Sequence, residues 1–247
     1  MRDLFKPSVT KLARSLQKLS TPLLASLYRD QPASAPLWLL RSVGIADPRY
    51  RRDFYTLSRI VDSIQRLDGC MMECGVYRGS TLLGMAHRLA LRGITNVPLF
   101  GCDSFQGFPQ PTKEDALTVG TFHQRTRAGV FADTSYEDLV KRVHALGYGQ
   151  QIRLVKGFFE DTLPRITEPR FSVVHLDCDL YRSYVACLET LYPKLVPGGY
   201  MVFDEYDFSA SVYPGAQRAI DEFLAGKPER IESFPEATDP RYFIRKL

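Results

Sequence analysis

Two apolar runs, each ending in acids, restrict what this chain can become more than any other feature. The first is Phe171-Ser172-Val173-Val174-His175-Leu176, followed by Asp177-Cys178-Asp179. The second is Tyr200-Met201-Val202-Phe203, followed by Asp204-Glu205-Tyr206-Asp207. Neither alternates apolar and polar residues as a half-exposed strand does. Continuous apolar strands belong to a parallel sheet with helices on both faces. In such sheets the ligand crevice lies beyond the carboxyl ends of the strands. Asp177, Asp204 and Glu205 are therefore predicted to reach one crevice. Crowded carboxylates repel unless positive charge sits among them, and hard oxygen donors suit Mg²⁺, Mn²⁺ or Ca²⁺. The same acids also suit helix caps or solvated loops, so both readings stay open at this point.

The rest of the chain supplies the sheet these runs require. Strands are predicted at Cys70–Glu73, Val97–Cys102, Gln151–Val155, Phe171–Leu176 and Tyr200–Phe203. Helices are predicted at Ser80–Leu91, Ser135–Leu146, Tyr181–Leu195 and Gly215–Leu224. Two short alternating stretches, Arg230–Phe234 and Tyr242–Lys246, read as a terminal antiparallel hairpin. The whole is an α/β, doubly wound, Rossmann-like sheet of seven strands. Residues 1–66 are interrupted by Pro22, Pro32, Pro36 and Pro48 and read as a helical appendage capping the acceptor side. Residues 67–247 read as the main domain.

Composition closes off several classes. A chain of 247 residues suits one large domain with an appendage. A net charge of +4 is too small and dispersed to argue for nucleic acid. The five cysteines form no CxxC pair and read as reduced core residues of a cytoplasmic protein. No apolar stretch is long enough to span a bilayer. Met1–Ser20, basic and partly apolar, reads as a peripheral helical segment rather than an interfacial or targeting one, because Asp3 and Pro7 weaken those readings. The apolar residues Leu37–Leu40 suit either packing on the domain or a homo-oligomer interface.

After the first strand comes Glu73-Cys74-Gly75-Val76-Tyr77-Arg78-Gly79-Ser80. Gly75 permits a tight turn and Gly79 a close approach at the helix start. Tyr77 stands where a pyrophosphate needs a small residue, which disfavours a dinucleotide. Glu73 suits a cofactor with a cationic amino group, such as S-adenosylmethionine. Asp103, followed by Ser104, ends the second strand and suits the hydroxyls of a ribose. Gly157, Phe158 and Phe159 end the third strand and suit an adenine face. The terminal antiparallel pair is the feature that distinguishes the methyltransferase version of this sheet from dehydrogenases.

These motifs, together with Asp103-Ser104-Phe105-Gln106-Gly107-Phe108-Pro109, Lys156-Gly157-Phe158-Phe159-Glu160-Asp161, His175-Leu176-Asp177-Cys178-Asp179-Leu180-Tyr181 and Tyr192-Pro193-Lys194-Leu195-Val196-Pro197-Gly198-Gly199, resemble the macrocin O-methyltransferase family. The resemblance implies a class I S-adenosylmethionine enzyme that methylates a hydroxyl, usually of a sugar on a small natural product. It implies a divalent cation, usually Mg²⁺, at the positions of Asp177, Asp204 and Glu205. Family members carry an Asp-Asp pair where this chain has Asp204-Glu205, and the extra methylene moves the oxygen by about 1 Å.

A divalent cation acidifies a hydroxyl that it touches, so a carboxylate can then take the proton. Asp177 is the first candidate for that proton acceptor and Asp179 the second, although Asp179 also suits the N-cap of the next helix. The long loop from Gln106 to Asp133 holds His123, Arg125 and Arg127, and His123 is a further candidate base or acceptor ligand. His175, inside its strand, reads as a satisfied core histidine. A metal-free methyltransferase and a non-catalytic nucleoside-binding module remain as alternatives.

Overall fold

The structure, a computed structural model, describes residues 36–247 apart from 65–67, 118–120, 122, 169 and 208–211. The expectation for Met1–Ser20 lies outside the described residues. The strands are β1 (Cys70–Cys74), β2 (Leu99–Asp103), β3 (Ile152–Lys156), β4 (Phe171–Leu176), β5 (Leu195–Phe203) and β6 (Tyr242–Arg245). They lie in the order β3-β2-β1-β4-β5-β6. The first five run parallel, and β6 is antiparallel to β5. The order reverses between β1 and β4, which opens a crevice over their carboxyl ends. Among the described residues the helices are α1 (Leu37–Ser42), α2 (Tyr55–Ser63), α3 (Ser80–Leu91), α4 (Tyr136–Ala145), α5 (Phe159–Thr162), α6 (Tyr181–Leu191) and α7 (Pro214–Leu224).

The sheet has six strands among the described residues, so the expected seventh is corrected. Arg230–Phe234 forms no strand; Glu232 alone bridges Phe243. The Arg230 guanidinium folds back onto the carbonyls of Lys227, Pro228 and Glu229, which holds the segment in a turn. The helix after β4 also stops at Leu191, short of the expected Leu195. Pro193 sits at the start of the 3₁₀ turn Tyr192–Lys194, where it cannot donate to a continuing α-helix. The strand then begins at once and runs through Pro197-Gly198-Gly199.

Strand alternation sorts the core into two layers. Met71, Val173 and Val202 face α1, α2 and α3, while Met72, Val174 and Met201 face α6 and α7. Leu39, Phe54, Leu57 and Ile60 are buried in the first layer. The described part of the N-terminal segment therefore shares its core with the sheet. All five cysteines are free, and four are buried. Among the described residues no helix is long and apolar enough to cross a membrane.

His87, on α3, is a buried polar group of this core. Its Nδ1 lies 3.4 Å from the Tyr148 hydroxyl, and its Nε2 has no partner. Burial lowers its pKa to about 4, against the pull of Asp47. The unfolded side chain takes its proton near 6.5, so the stabilisation is complete above that pH and is lost as pH falls toward 4. Urea unfolding of the protein should lose about 2 kcal/mol more between pH 7 and pH 5 than that of His87→Gln. Equal losses in the two proteins would contradict this assignment.

Candidate active site

A cavity of about 480 Å³ opens over the carboxyl ends of the strands. Gly75, Tyr77, Asp103, Ser104, Phe158 and Phe159 line its β1–β3 side, and Asp177, Asp179, Ser183, Asp204, Glu205 and Tyr213 its β4–β5 side. Gly75 has φ +89°, and a Cβ there would lie 1.6 Å from the Asp177 carbonyl oxygen. No side chain fits at that position. The backbone of the glycine turn thus packs directly on the segment that carries the acids. The Asp177 N–H donates to the Cys74 carbonyl at 2.9 Å, and the Asp204 N–H to the Leu176 carbonyl at 2.9 Å. These bonds carry the sheet register into the crevice.

Asp103 shapes the turn it faces. Its Oδ2 accepts the N–H groups of Val76 (3.0 Å) and Tyr77 (2.8 Å), and its Oδ1 accepts that of Phe105 (2.7 Å). Those bonds hold Tyr77 at φ +46°, a conformation costly for a residue with a Cβ. Each carboxylate oxygen has two acceptor sites, so Asp103 keeps capacity for a ligand hydroxyl. Gly79, at φ +74°, begins α3, and Gly157, at φ +144°, leads into Phe158 and Phe159. Val76 is buried in the core, and Ser80 accepts the Ala46 N–H at its carbonyl. Arg78 points outward to Asp133 at 2.6 Å. Gly75, Tyr77, Asp103, Ser104, Phe158 and Phe159 therefore meet in the cavity, while Val76, Arg78, Gly79, Ser80 and Gly157 frame it from outside.

Glu73 does not reach the cavity wall. Strand pairing sets it beside His175, and both are 1% exposed. Its Oε1 lies 3.0 Å from His175 Nδ1, and its Oε2 has no partner. His175 Nε2 lies 3.8 Å from Asp204 Oδ1, too far for a hydrogen bond. Burial disfavours a charged His175, but the carboxylates of Asp204 and Glu73 outweigh it and raise its pKa to about 10. Asp204 is bonded by Arg241 Nε at 2.5 Å, and Arg241 also holds Asp239 at 3.0 Å. Burial alone would raise Asp204, yet His175 and Arg241 hold it well below the usual carboxylate range. A polar row, Glu73–His175–Asp204–Arg241, thus crosses β1, β4 and β5 toward β6. The sequence reading of His175 as a satisfied core residue holds at one ring nitrogen only.

The remaining acids meet without such compensation. Burial, then the charges of Asp204 and Asp179, raise Asp177. Glu205 is raised by burial and by Asp179, Asp177 and Asp204. Its Oε2 lies 2.7 Å from the Tyr184 hydroxyl and accepts the Asp179 N–H at 3.2 Å. Asp179 does not cap α6. It sits at φ +61°, and Asp115 from the long loop accepts the Tyr181 N–H in its place, at 2.7 Å. Burial and Asp204 raise the Asp179 carboxyl to about 7, against a hydrogen bond from Tyr213. Ligand atoms of Asp177, Asp179 and Glu205 lie within 4.8 Å of one another, as do those of His175, Asp177 and Asp204. Asp177 belongs to both groups.

His123 lies off the cavity wall. Its Nδ1 accepts the Arg125 N–H at 3.2 Å and so caps the 3₁₀ turn Gln124–Thr126. Arg125 from that turn does line the cavity. Phe108, Phe131 and Tyr213 also line it, and spacing could not single them out. An edge-to-face row from Tyr77 through Phe131 and Phe108 to Tyr213, with centroids 5.4, 5.2 and 6.4 Å apart, roofs the space.

A family model described as macrocin-O-methyltransferase matches residues 50–231. An 8-demethyl-8-(2,3-dimethoxy-alpha-L-rhamnosyl)-tetracenomycin-C 4'-O-methyltransferase of Streptomyces olivaceus is 29% identical over 227 residues, covering 85% of this chain and 82% of that protein. The mycinamicin III 3''-O-methyltransferase of Micromonospora griseorubida is 30% identical over 172 residues, covering 68% of this chain and 65% of that protein. In structure, the fold is similar to that of the O-methyltransferase NovP (TM-score 0.64, 23% identity, 94% of this chain and 100% of that one). It is also similar to a calicheamicin methyltransferase (TM-score 0.69, 22% identity, 92% and 91%).

The buried Glu73–His175 pair makes a direct prediction. Removing one partner leaves an uncompensated buried charge, at a cost of about 3–5 kcal/mol. His175→Leu and Glu73→Leu should each be strongly destabilising in chemical denaturation, and the double variant should cost clearly less than their sum. Additive costs would contradict the pairing.

Proposed function

The chain belongs to the macrocin O-methyltransferase family, and from that premise we propose that it methylates a sugar hydroxyl of a small natural product, assisted by a divalent cation. The carrying observation is that one cavity joins the glycine turn and Asp103 to the carboxylates beyond β4 and β5. S-adenosylmethionine supplies a methyl group on a good leaving group, so the protein's main task is alignment.

Residues of the β1–β3 side would hold the cofactor. Asp103 keeps one acceptor site, on Oδ1, for a ribose hydroxyl, with Ser104 beside it. Gly75 and Tyr77 offer backbone at the turn, and Phe158 and Phe159 offer apolar surface to the base. Val76, Arg78, Gly79, Ser80 and Gly157 set the shape of that half. Glu73, first assigned to the cofactor's amino group, acts instead through His175 beneath the cavity floor.

The donor set beyond β4 and β5 fits a hard cation. Its members on the cavity wall are carboxylates, and Asp177 and Glu205 are raised by burial and by their neighbours' charge, which a bound cation would relieve. Asp177 would hold it, with Asp179 and Glu205 on one side and Asp204 on the other, since Asp177 is the member common to both close groups. A cation held there would lower the pKa of an alcohol hydroxyl. Asp177 is the proton acceptor in this reading, and Asp179 the second candidate. The aromatic row above limits water. Residues 36–64 do not line the cavity themselves, but the charge of Arg51 is felt at Asp177 and Asp204, and this segment stays the candidate cap of the acceptor side.

One observation favours a metal-free variant of the same reaction: Arg241 and His175 already supply positive charge to Asp204. The two readings separate cleanly. With a panel of hexose-bearing acceptors, EDTA should abolish S-adenosylhomocysteine release and Mg²⁺ or Mn²⁺ should restore it. Asp177→Asn should lower turnover about 10²–10⁴-fold while S-adenosylhomocysteine affinity stays within a few-fold. Full activity in EDTA would support the metal-free variant, and full activity of Asp177→Asn would remove Asp177 from the reaction.

A further inference from the structure

Arg125 is the one lysine or arginine on the cavity wall among the described residues, where five carboxylates also stand. Its guanidinium makes no hydrogen bond or ion pair with any described residue. Other arginines around the site are committed: Arg241 to Asp204, Arg51 to Asp53 and Arg78 to Asp133. The backbone beneath Arg125 is fixed. Thr126 is fully buried, and its hydroxyl donates to the His123 carbonyl at 2.8 Å. The His123 ring accepts the Arg125 N–H. The turn therefore presents, from a fixed point, a cationic side chain that no described residue engages.

The place of that side chain indicates what it serves. The positive charge of Arg125 is felt at Tyr213, whose hydroxyl bonds Asp179. Both residues belong to the β4–β5 half of the cavity, away from Asp103 and Phe158. A guanidinium fork matches the two oxygens of a phosphate or carboxylate and gains little from a neutral sugar. We propose that the acceptor carries an oxyanion, a phosphate or a carboxylate, which Arg125 grips while the target hydroxyl lies toward Asp177. This rests on the reading of the cavity as a methyltransferase site and narrows its acceptor class.

The test is calorimetry on protein saturated with S-adenosylhomocysteine in EDTA, so that no cation bridges the ligand. The probes are a nucleoside-diphosphate hexose, a methyl hexuronide and the corresponding neutral methyl hexoside. At least one anionic probe should bind about tenfold or more tightly than the neutral one. Which anionic probe gains tells phosphate from carboxylate. Arg125→Gln should erase the gain, Arg125→Lys should keep part of it, and added salt should weaken it. S-adenosylhomocysteine affinity should stay unchanged in both variants. Equal binding of all three probes would overturn the proposal. So would loss of S-adenosylhomocysteine affinity in Arg125→Gln, which would assign the arginine to the cofactor's own carboxylate. Failure of the unaltered protein to bind S-adenosylhomocysteine would instead remove the methyltransferase reading beneath it.

Discussion

Carboxylates crowded at the carboxyl ends of three adjacent strands are the constraint to which the rest of this structure answers. Glu73 is the penultimate residue of β1, Asp177 and Asp179 follow β4, and Asp204 and Glu205 follow β5. Burying a charge without compensation costs several kcal/mol, roughly the whole stability margin of a domain. The fold meets each acid differently. Glu73 receives His175 inside the sheet, and Asp204 receives Arg241 beside β6. Glu205 receives the Tyr184 hydroxyl and the Asp179 N–H. Asp177 receives no such partner among the described residues, and it is the acid shared by both close groups of ligand atoms. Asp177 is thus the acid of the cluster whose ionisation the fold itself supports least.

A second constraint ties this acid cluster to the β1–β3 half of the cavity. Gly75 packs against the Asp177 carbonyl so closely that no Cβ can stand between them. The contact is possible because β1 and β4 are neighbours across the reversal of strand order. Asp103 then fixes the turn through three backbone N–H groups. Motion of the glycine turn must therefore be felt at Asp177, and the sheet sets the distance between the two halves of the cavity.

The sequence reveals strands best where burial is complete. Phe171–Leu176 has the expected bounds because no polar residue but His175 and Ser172 interrupts an apolar run that helices cover on both sides. The helix Ser80–Leu91 is equally plain, bounded by Gly79 and Arg92. Edges are less legible. Arg230–Phe234 alternates like a strand, but its arginine finds nearer carbonyls and the pairing shrinks to one bridge. In the site, residues at strand ends fall where the parallel-sheet rule places them. Glu73 is the instructive exception: its position on β1 is legible, but its partner lies on β4, 102 residues away. His123 is similar, since only the folded turn shows its ring capping Arg125 instead of facing the cavity.

The most direct test is sequential calorimetric titration of the EDTA-treated protein, first with S-adenosylhomocysteine and then with Mn²⁺. A single cavity with a nucleoside half and a carboxylate half predicts two isotherms, each near one equivalent. Asp177→Asn should lose the second and keep the first. A cofactor isotherm with no Mn²⁺ isotherm would contradict the assignment of Asp177, Asp204 and Glu205 to a cation, and absence of both would contradict the account of the cavity itself.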